Sequence, residues 1–114
     1  MKRRAVLIFL LSALALWGAD LTGTWSADVV LDAGSGTATF VFKQEGEKLT
    51  GSYTGTFGKS QLSGSVKGNQ VEWSFEVDQV GKATYTGTLD GATKMKGAVV
   101  YGALGKGTFT AEKK

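Results

Sequence analysis

From Asp20 onward the chain alternates between apolar and polar residues almost without a break, and it contains no proline. Period-two alternation with β-branched and aromatic residues at the apolar positions is the pattern of half-buried β-strands. Eight such runs follow one another, over 21–31, 37–44, 48–55, 60–67, 70–78, 82–90, 93–101 and 105–112. The segments between them, "DAGSG", "EGE", "TFGK", "KGNQ", "DQVGK", "DGAT" and "YGALGK", are short and turn-like. Their Gly-Asn and Asp-Gly pairs supply the positive φ angles that tight hairpins need. Parallel crossovers need a dozen or more residues, so each strand is expected to pair antiparallel with the next. No helix is expected.

Sorting each run by parity collects the bulky residues on one face. They include Leu21, Trp25, Val29 and Leu31 in the first run, Phe40 and Phe42 in the second, and Val71, Trp73, Phe75 and Val77 in the fifth. The other face is Thr, Ser, Lys and Glu, as in Thr84, Thr86 and Thr88. A meander with one apolar face and no helix to cover it buries that face by rolling up, and closure also removes sticky sheet edges. The expected fold is therefore an all-β, eight-stranded antiparallel up-and-down β-barrel. Its interior would be just wide enough for side chains or one small ligand. An outer-membrane barrel is the rival, with apolar residues outward. Here the apolar face is bulky and lacks an aromatic girdle, and the chain ends in "TAEKK".

Glycine recurs inside the strands in an apolar-x-Gly-x-apolar frame: "LTGTW", "LTGSY", "LSGSV", "YTGTL", "MKGAV" and, in degenerate form, "GKGTF". The glycines are Gly23, Gly51, Gly64, Gly87, Gly97 and Gly107, all on the apolar side. Each costs roughly 0.5–1 kcal/mol relative to alanine, against a typical net stability of ~5–15 kcal/mol. Two offsets are open: sharp coiling of the strands as a small barrel closes, and space for neighbouring rings, or for a ligand, in the lumen.

The first 19 residues read as something else. "MKRRAVLIFLLSALALWGA" has a basic start, an apolar run from Ala5 to Trp17 and small residues near its end, the layout of a secretory signal peptide. The run is shorter than the roughly 20 residues a spanning helix needs, so no membrane span is expected after its removal. Both Ala13-Leu14-Ala15 and Ala19 offer cleavage points. The domains are thus 1–19, signal peptide, and 20–114, one β-barrel domain, periplasmic or secreted, from a bacterium. Without cysteine the chain is not a lipid-anchored lipoprotein, and packing alone must stabilise it.

Removing the signal changes the electrostatics. Of thirteen basic residues, Lys2, Arg3 and Arg4 belong to the signal, leaving ten lysines against ten acidic residues. A near-neutral domain offers no electrostatic footprint for nucleic acid. Histidine and cysteine are both absent, which excludes Ser-His-Asp and Cys-His catalysis and their zinc sites. Glu72 and Glu76 share one strand face roughly 13 Å apart, on the polar side, and read as surface charge. No catalytic residue, metal site or cofactor is expected. The polar atoms of the apolar face are the hydroxyls of Tyr53, Tyr85 and Tyr101 and the indole N–H groups of Trp25 and Trp73. Buried, each needs a partner. These five are the candidate ligand-binding residues of the lumen.

"GTW" on the first strand of an eight-stranded meander resembles the Gly-x-Trp signature of lipocalin-like barrels. "LTGTW" followed by "GTATF" and "LTGSY" is similar to the opening of avidin-type barrels, in which Tyr53 matches a family tyrosine. Two residues past the tryptophan the avidin pattern has a biotin-contacting asparagine; here stands Ala27. The whole mature chain also resembles small bacterial secreted domains with "KLTGSY…G…KGN…MKG…G.GTF" patterns. The resemblance implies a calycin-type barrel that holds a ligand. The function expected is an exported, monomeric, non-catalytic binding module with a small apolar or amphipathic ligand in the barrel. The alternative is a packed barrel that binds a protein or glycan through its outer wall or its loops, where Phe57 is an apolar turn residue. An enzyme is the least favoured reading.

Overall fold

The computed structural model describes residues 20–78 and 80–114; residues 1–19, where a signal peptide is expected, lie outside the described residues. The strands are β1 (Gly23–Leu31), β2 (Gly34–Glu45), β3 (Lys48–Gly55), β4 (Gly58–Lys67), β5 (Gln70–Val77), β6 (Gly81–Leu89), β7 (Lys94–Tyr101) and β8 (Gly105–Lys113). Each pairs antiparallel with the next, and β8 returns to β1, closing the barrel in sequence order. Several boundaries shift: β1 begins at Gly23 and not at 21, and β4 at Gly58 and not at 60. Much of "DAGSG" is strand, because Leu31 faces Gly34 and the hairpin needs only Asp32 and Ala33 to turn. Within "YGALGK", Gly102–Leu104 form one 3₁₀ turn where no helix was expected.

The apolar parity of each strand faces the barrel interior. Trp25, Phe40, Tyr53, Trp73, Tyr85 and Phe109 are all buried. Ala27, Ala38, Ala83 and Ala111 share their side of the wall and bring the rings together. Phe40 lies parallel to Phe42 at 5.7 Å, Trp73 to Tyr85 at 5.0 Å and Tyr53 to Phe75 at 4.3 Å. Such pairs add about 0.5–1.5 kcal/mol each beyond their buried area. The lumen is filled by side chains. Outward positions carry exposed Glu72, Glu76, Lys94 and Lys96, where a membrane barrel would present an apolar band.

The repeated glycines serve both expected purposes. A Cβ on Gly51, Gly64, Gly97 or Gly107 would strike a backbone carbonyl of the neighbouring strand, that of Val41, Glu72, Thr86 or Val30 respectively. Each of these carbonyls belongs to the residue before the glycine's cross-strand partner: Phe42, Trp73, Gly87 and Leu31. One local device, used four times, lets a strand press onto its neighbour and the wall coil tightly. Gly51 adds a φ of +152°, which L-residues rarely adopt. Gly87 differs: its missing side chain leaves room for Met95 Sδ and Phe109 Cζ, each 2.9 Å from where a Cβ would sit.

The two ends of the barrel are unlike. At one, residues 20–22 fold across the opening. Leu21 is buried, its N–H donates to Gln44 Oε1 at 2.8 Å, and its carbonyl accepts from Trp25 Nε1 at 3.0 Å. The Gln44 N–H donates to Thr22 Oγ1 at 3.1 Å. At the other end emerge the turns β1–β2, β3–β4, β5–β6 and β7–β8. Toward that end the β4–β5 ladder stops after five rungs, at Ser63↔Ser74. Ser60–Leu62 and Phe75–Val77 are still strand there, but pair only with β3 and β6.

Candidate functional site

The end where those turns converge holds a cavity of about 240 Å³. Its walls come from the β1–β2 hairpin (Val29, Leu31, Gly34–Ala38), the β3–β4 turn (Thr56, Phe57) and Leu104 of the 3₁₀ turn. Tyr53 and Tyr101 line it from the barrel side. β2 outruns β3 here: Ala38 is the last β2 residue with a β3 partner, so Gly34–Thr37 pair with β1 alone and overhang the opening. Phe57 forms the lip, 36% exposed, with its ring 5.6 Å from that of Tyr101. Among the described lining residues, tyrosine is the sole titratable type.

The tyrosine hydroxyls gather beside the cavity. Tyr85 and Tyr101 share a hydrogen bond of 2.6 Å. The Tyr53 hydroxyl accepts the Phe57 N–H at 3.4 Å and occupies the space a side chain on Gly55 would need. Burial pushes the Tyr85 hydroxyl far above the ordinary phenol range, helped by neighbouring Tyr101. Burial also raises Tyr101, and Tyr53 pushes it the same way, while the bond to Tyr85 pulls back. Both therefore stay protonated at any physiological pH, and act as neutral donors.

The five sequence candidates occupy different places. Tyr53 and Tyr101 line the cavity, with Tyr85 bonded to Tyr101. Trp25 sits toward the plugged end, its N–H spent on Leu21. Trp73 stacks on Tyr85 within the packed lumen, and its Nε1 finds no hydrogen-bond acceptor among the described residues. Sequence reasoning left out Val29, Leu31, Ala38 and Leu104, and assigned Phe57 to loop recognition only. A signal was available. In a meander alternate turns emerge at the same end, so "LDAGS", "TFG" and "YGALG" are neighbours in space. The arrangement can enclose a small molecule against rings and offer it hydroxyl donors. Among the described residues no cluster of His, Cys, Asp and Glu is grouped to hold a metal ion.

No protein-family model and no curated protein matches the chain. Several solved structures share its fold. A redesigned β-barrel matches with a TM-score of 0.68 at 19% identity, covering 82% of this chain and 91% of that one. A de novo designed fluorescence-activating β-barrel matches with a TM-score of 0.66 at 12% identity, over 87% and 98% of the two chains. A redesigned barrel, mFAP1, bound to DFHBI, matches with a TM-score of 0.60 at 18% identity, over 90% and 97%. At these identities the likeness is one of fold: a small eight-stranded antiparallel β-barrel.

Proposed function

We propose that the chain is an exported, non-catalytic binding module that holds one small, largely apolar molecule at the barrel mouth. The observation that carries this reading is the 240 Å³ cavity between the β1–β2 overhang and Phe57, with Tyr53 and Tyr101 on its inner side. Ligand pockets commonly span about 300–1,000 Å³, whereas an apolar cavity of ~150 Å³ already accepts benzene. The guest is therefore of ring size, or protrudes through the mouth. A long fatty acid or retinoid has no room deeper in, because the lumen is packed. The DFHBI complexes of barrels with this fold support the reading in one respect: such an architecture accepts a small-molecule guest. The signal-peptide pattern of residues 1–19 and the near-neutral charge of the rest support placing it as a periplasmic or secreted monomer.

Titration of the mature chain with indane, followed by NMR, tests the proposal. Saturable shifts confined to Tyr53, Tyr101, Phe57, Leu31 and Leu104 are expected. Absence of saturable shifts with indane and with other one- and two-ring compounds would refute it.

The filled lumen also favours a second reading, in which the loops at the mouth recognise a protein or glycan through exposed Phe57. Loss of a purified partner's binding on Phe57→Ser, with ring compounds inert, would establish this instead.

A further inference from the structure

The hydroxyl cluster fixes what kind of ring compound the mouth selects, an inference that rests on the ligand-binding reading above. Three hydroxyls, those of Tyr53, Tyr85 and Tyr101, bring three protons. Among the described residues one hydrogen bond joins them, Tyr85 to Tyr101 at 2.6 Å, and either can be its donor. Tyr53 accepts the Phe57 N–H. Even if Tyr53 also reached Tyr101, a line of three hydroxyls spends two protons internally. At least one proton therefore remains to be given away. With Tyr85 the donor in its bond to Tyr101, that proton sits on Tyr53 or Tyr101, which are 1% and 2% exposed and both line the cavity. A buried donor gains most from an acceptor brought by the guest, because leaving it unpaired carries its desolvation cost.

Charge decides which acceptor. No residue lining the cavity carries a charge at neutral pH. At the lip, Asp32 and Lys106 bring opposite charges, joined by a backbone hydrogen bond from the Asp32 N–H, and neither lines the cavity. A carboxylate or an ammonium group would lose its hydration there without a counter-charge, which is costly. A ring hydrocarbon would enter but leave the hydroxyl unpaired. A carbonyl oxygen accepts the proton and adds no charge.

We infer that the mouth cavity selects neutral, planar ring compounds bearing a carbonyl oxygen, held by the hydroxyl proton of Tyr53 or Tyr101 that the protein does not use itself.

Three molecules of matched size test this: indane, 1-indanone and protonated 1-aminoindane, titrated by NMR into the mature chain at pH 7. 1-Indanone is expected to bind roughly three- to tenfold tighter than indane, the net worth of one neutral hydrogen bond. 1-Aminoindane is expected to bind more weakly than either. In Tyr53→Phe combined with Tyr101→Phe the ratio of indanone to indane affinity should fall to about one. If indane and indanone both fail to bind, the ligand-binding reading itself is lost. If both bind equally to the unaltered protein, or if 1-aminoindane binds as tightly as 1-indanone, the cavity stands and the selectivity does not. Persistence of the preference in the double variant would likewise overturn the role given to the hydroxyls.

Discussion

Gly64→Ala tests whether the strand glycines are there for close backbone approach. The added Cβ would lie 2.6 Å from Trp73 Cα and 2.8 Å from the Glu72 carbonyl carbon, with the Glu72 oxygen nearer still. These are backbone atoms, so no side-chain rotation relieves the clash, and β4 must move off β5. Gly64↔Trp73 is the second rung of the five-rung β4–β5 ladder, so the strands have little pairing with which to resist. Trp73 also carries the stack with Tyr85 and edge contacts to Phe40, Phe42 and Phe109. Overpacking of this kind costs about 1–3 kcal/mol, and one or two strained ladder bonds add ~1 kcal/mol each. Alanine's better strand propensity returns roughly 0.5–1 kcal/mol. The net expectation, combining these terms, is a loss of about 1–4.5 kcal/mol. For a domain of this size that lowers Tm by roughly 4–8 °C for each kcal/mol lost. Urea and thermal unfolding of the mature chain, followed by near-ultraviolet circular dichroism, measure it. Gly87→Ala is the internal comparison. The atoms nearest its Cβ belong to the Met95 and Phe109 side chains and not to backbone, so a smaller loss of about 1 kcal/mol is expected. A Gly64→Ala protein within ~0.5 kcal/mol of the parent, or one more stable than Gly87→Ala, would refute the reasoning.

Three further outcomes follow from the geometry. Tyr85 and Tyr101 both have raised hydroxyl pKa values in the fold. The folded state thus holds protons that the unfolded chain releases above the ordinary phenol value of about 10. Their stabilisation is complete below pH 10 and fades above it, by about 2.7 kcal/mol per pH unit while both remain protonated. Urea midpoints between pH 8 and 12 should show this, and Tyr85→Phe with Tyr101→Phe should flatten the slope. Deleting residues 20–22 removes the acceptor of Trp25 Nε1 and opens the plugged end. A loss of about 1–3 kcal/mol is expected for the orphaned buried donor alone, read by denaturant titration with Trp25 emission shifted to the red. In hydrogen exchange, alternate amides of Ser60–Leu62 and Phe75–Val77 should exchange faster than those of Ser63–Lys67, because the β4–β5 ladder stops at Ser63↔Ser74. Equal protection across that boundary would show that the two strands remain paired in solution.

Much of this molecule was legible in one dimension. Alternation has the period of the strand itself, so parity alone placed Trp25, Phe40, Trp73 and Tyr85 inside and Glu72 and Thr86 outside. Short connections left no topology but the meander. The recurring glycine frame marked tight coiling, since an interior glycine without compensation would only cost stability. Those are local rules, and each residue obeys them with its immediate neighbours.

What the sequence did not determine depends on distances between strands far apart in the chain. Parity put Trp25, Tyr53, Trp73, Tyr85 and Tyr101 on one face, but it has no coordinate along the barrel axis. Only the closed register shows Trp25 toward the plugged end and Tyr53 and Tyr101 at the mouth. Whether nine rings, four inward alanines and a handful of glycines fill a lumen is a question of volume, settled when all eight strands meet. They do fill it. The remaining room lies at the end where the turn residues Phe57 and Leu104 face the β1–β2 overhang, a neighbourhood created by tertiary closure.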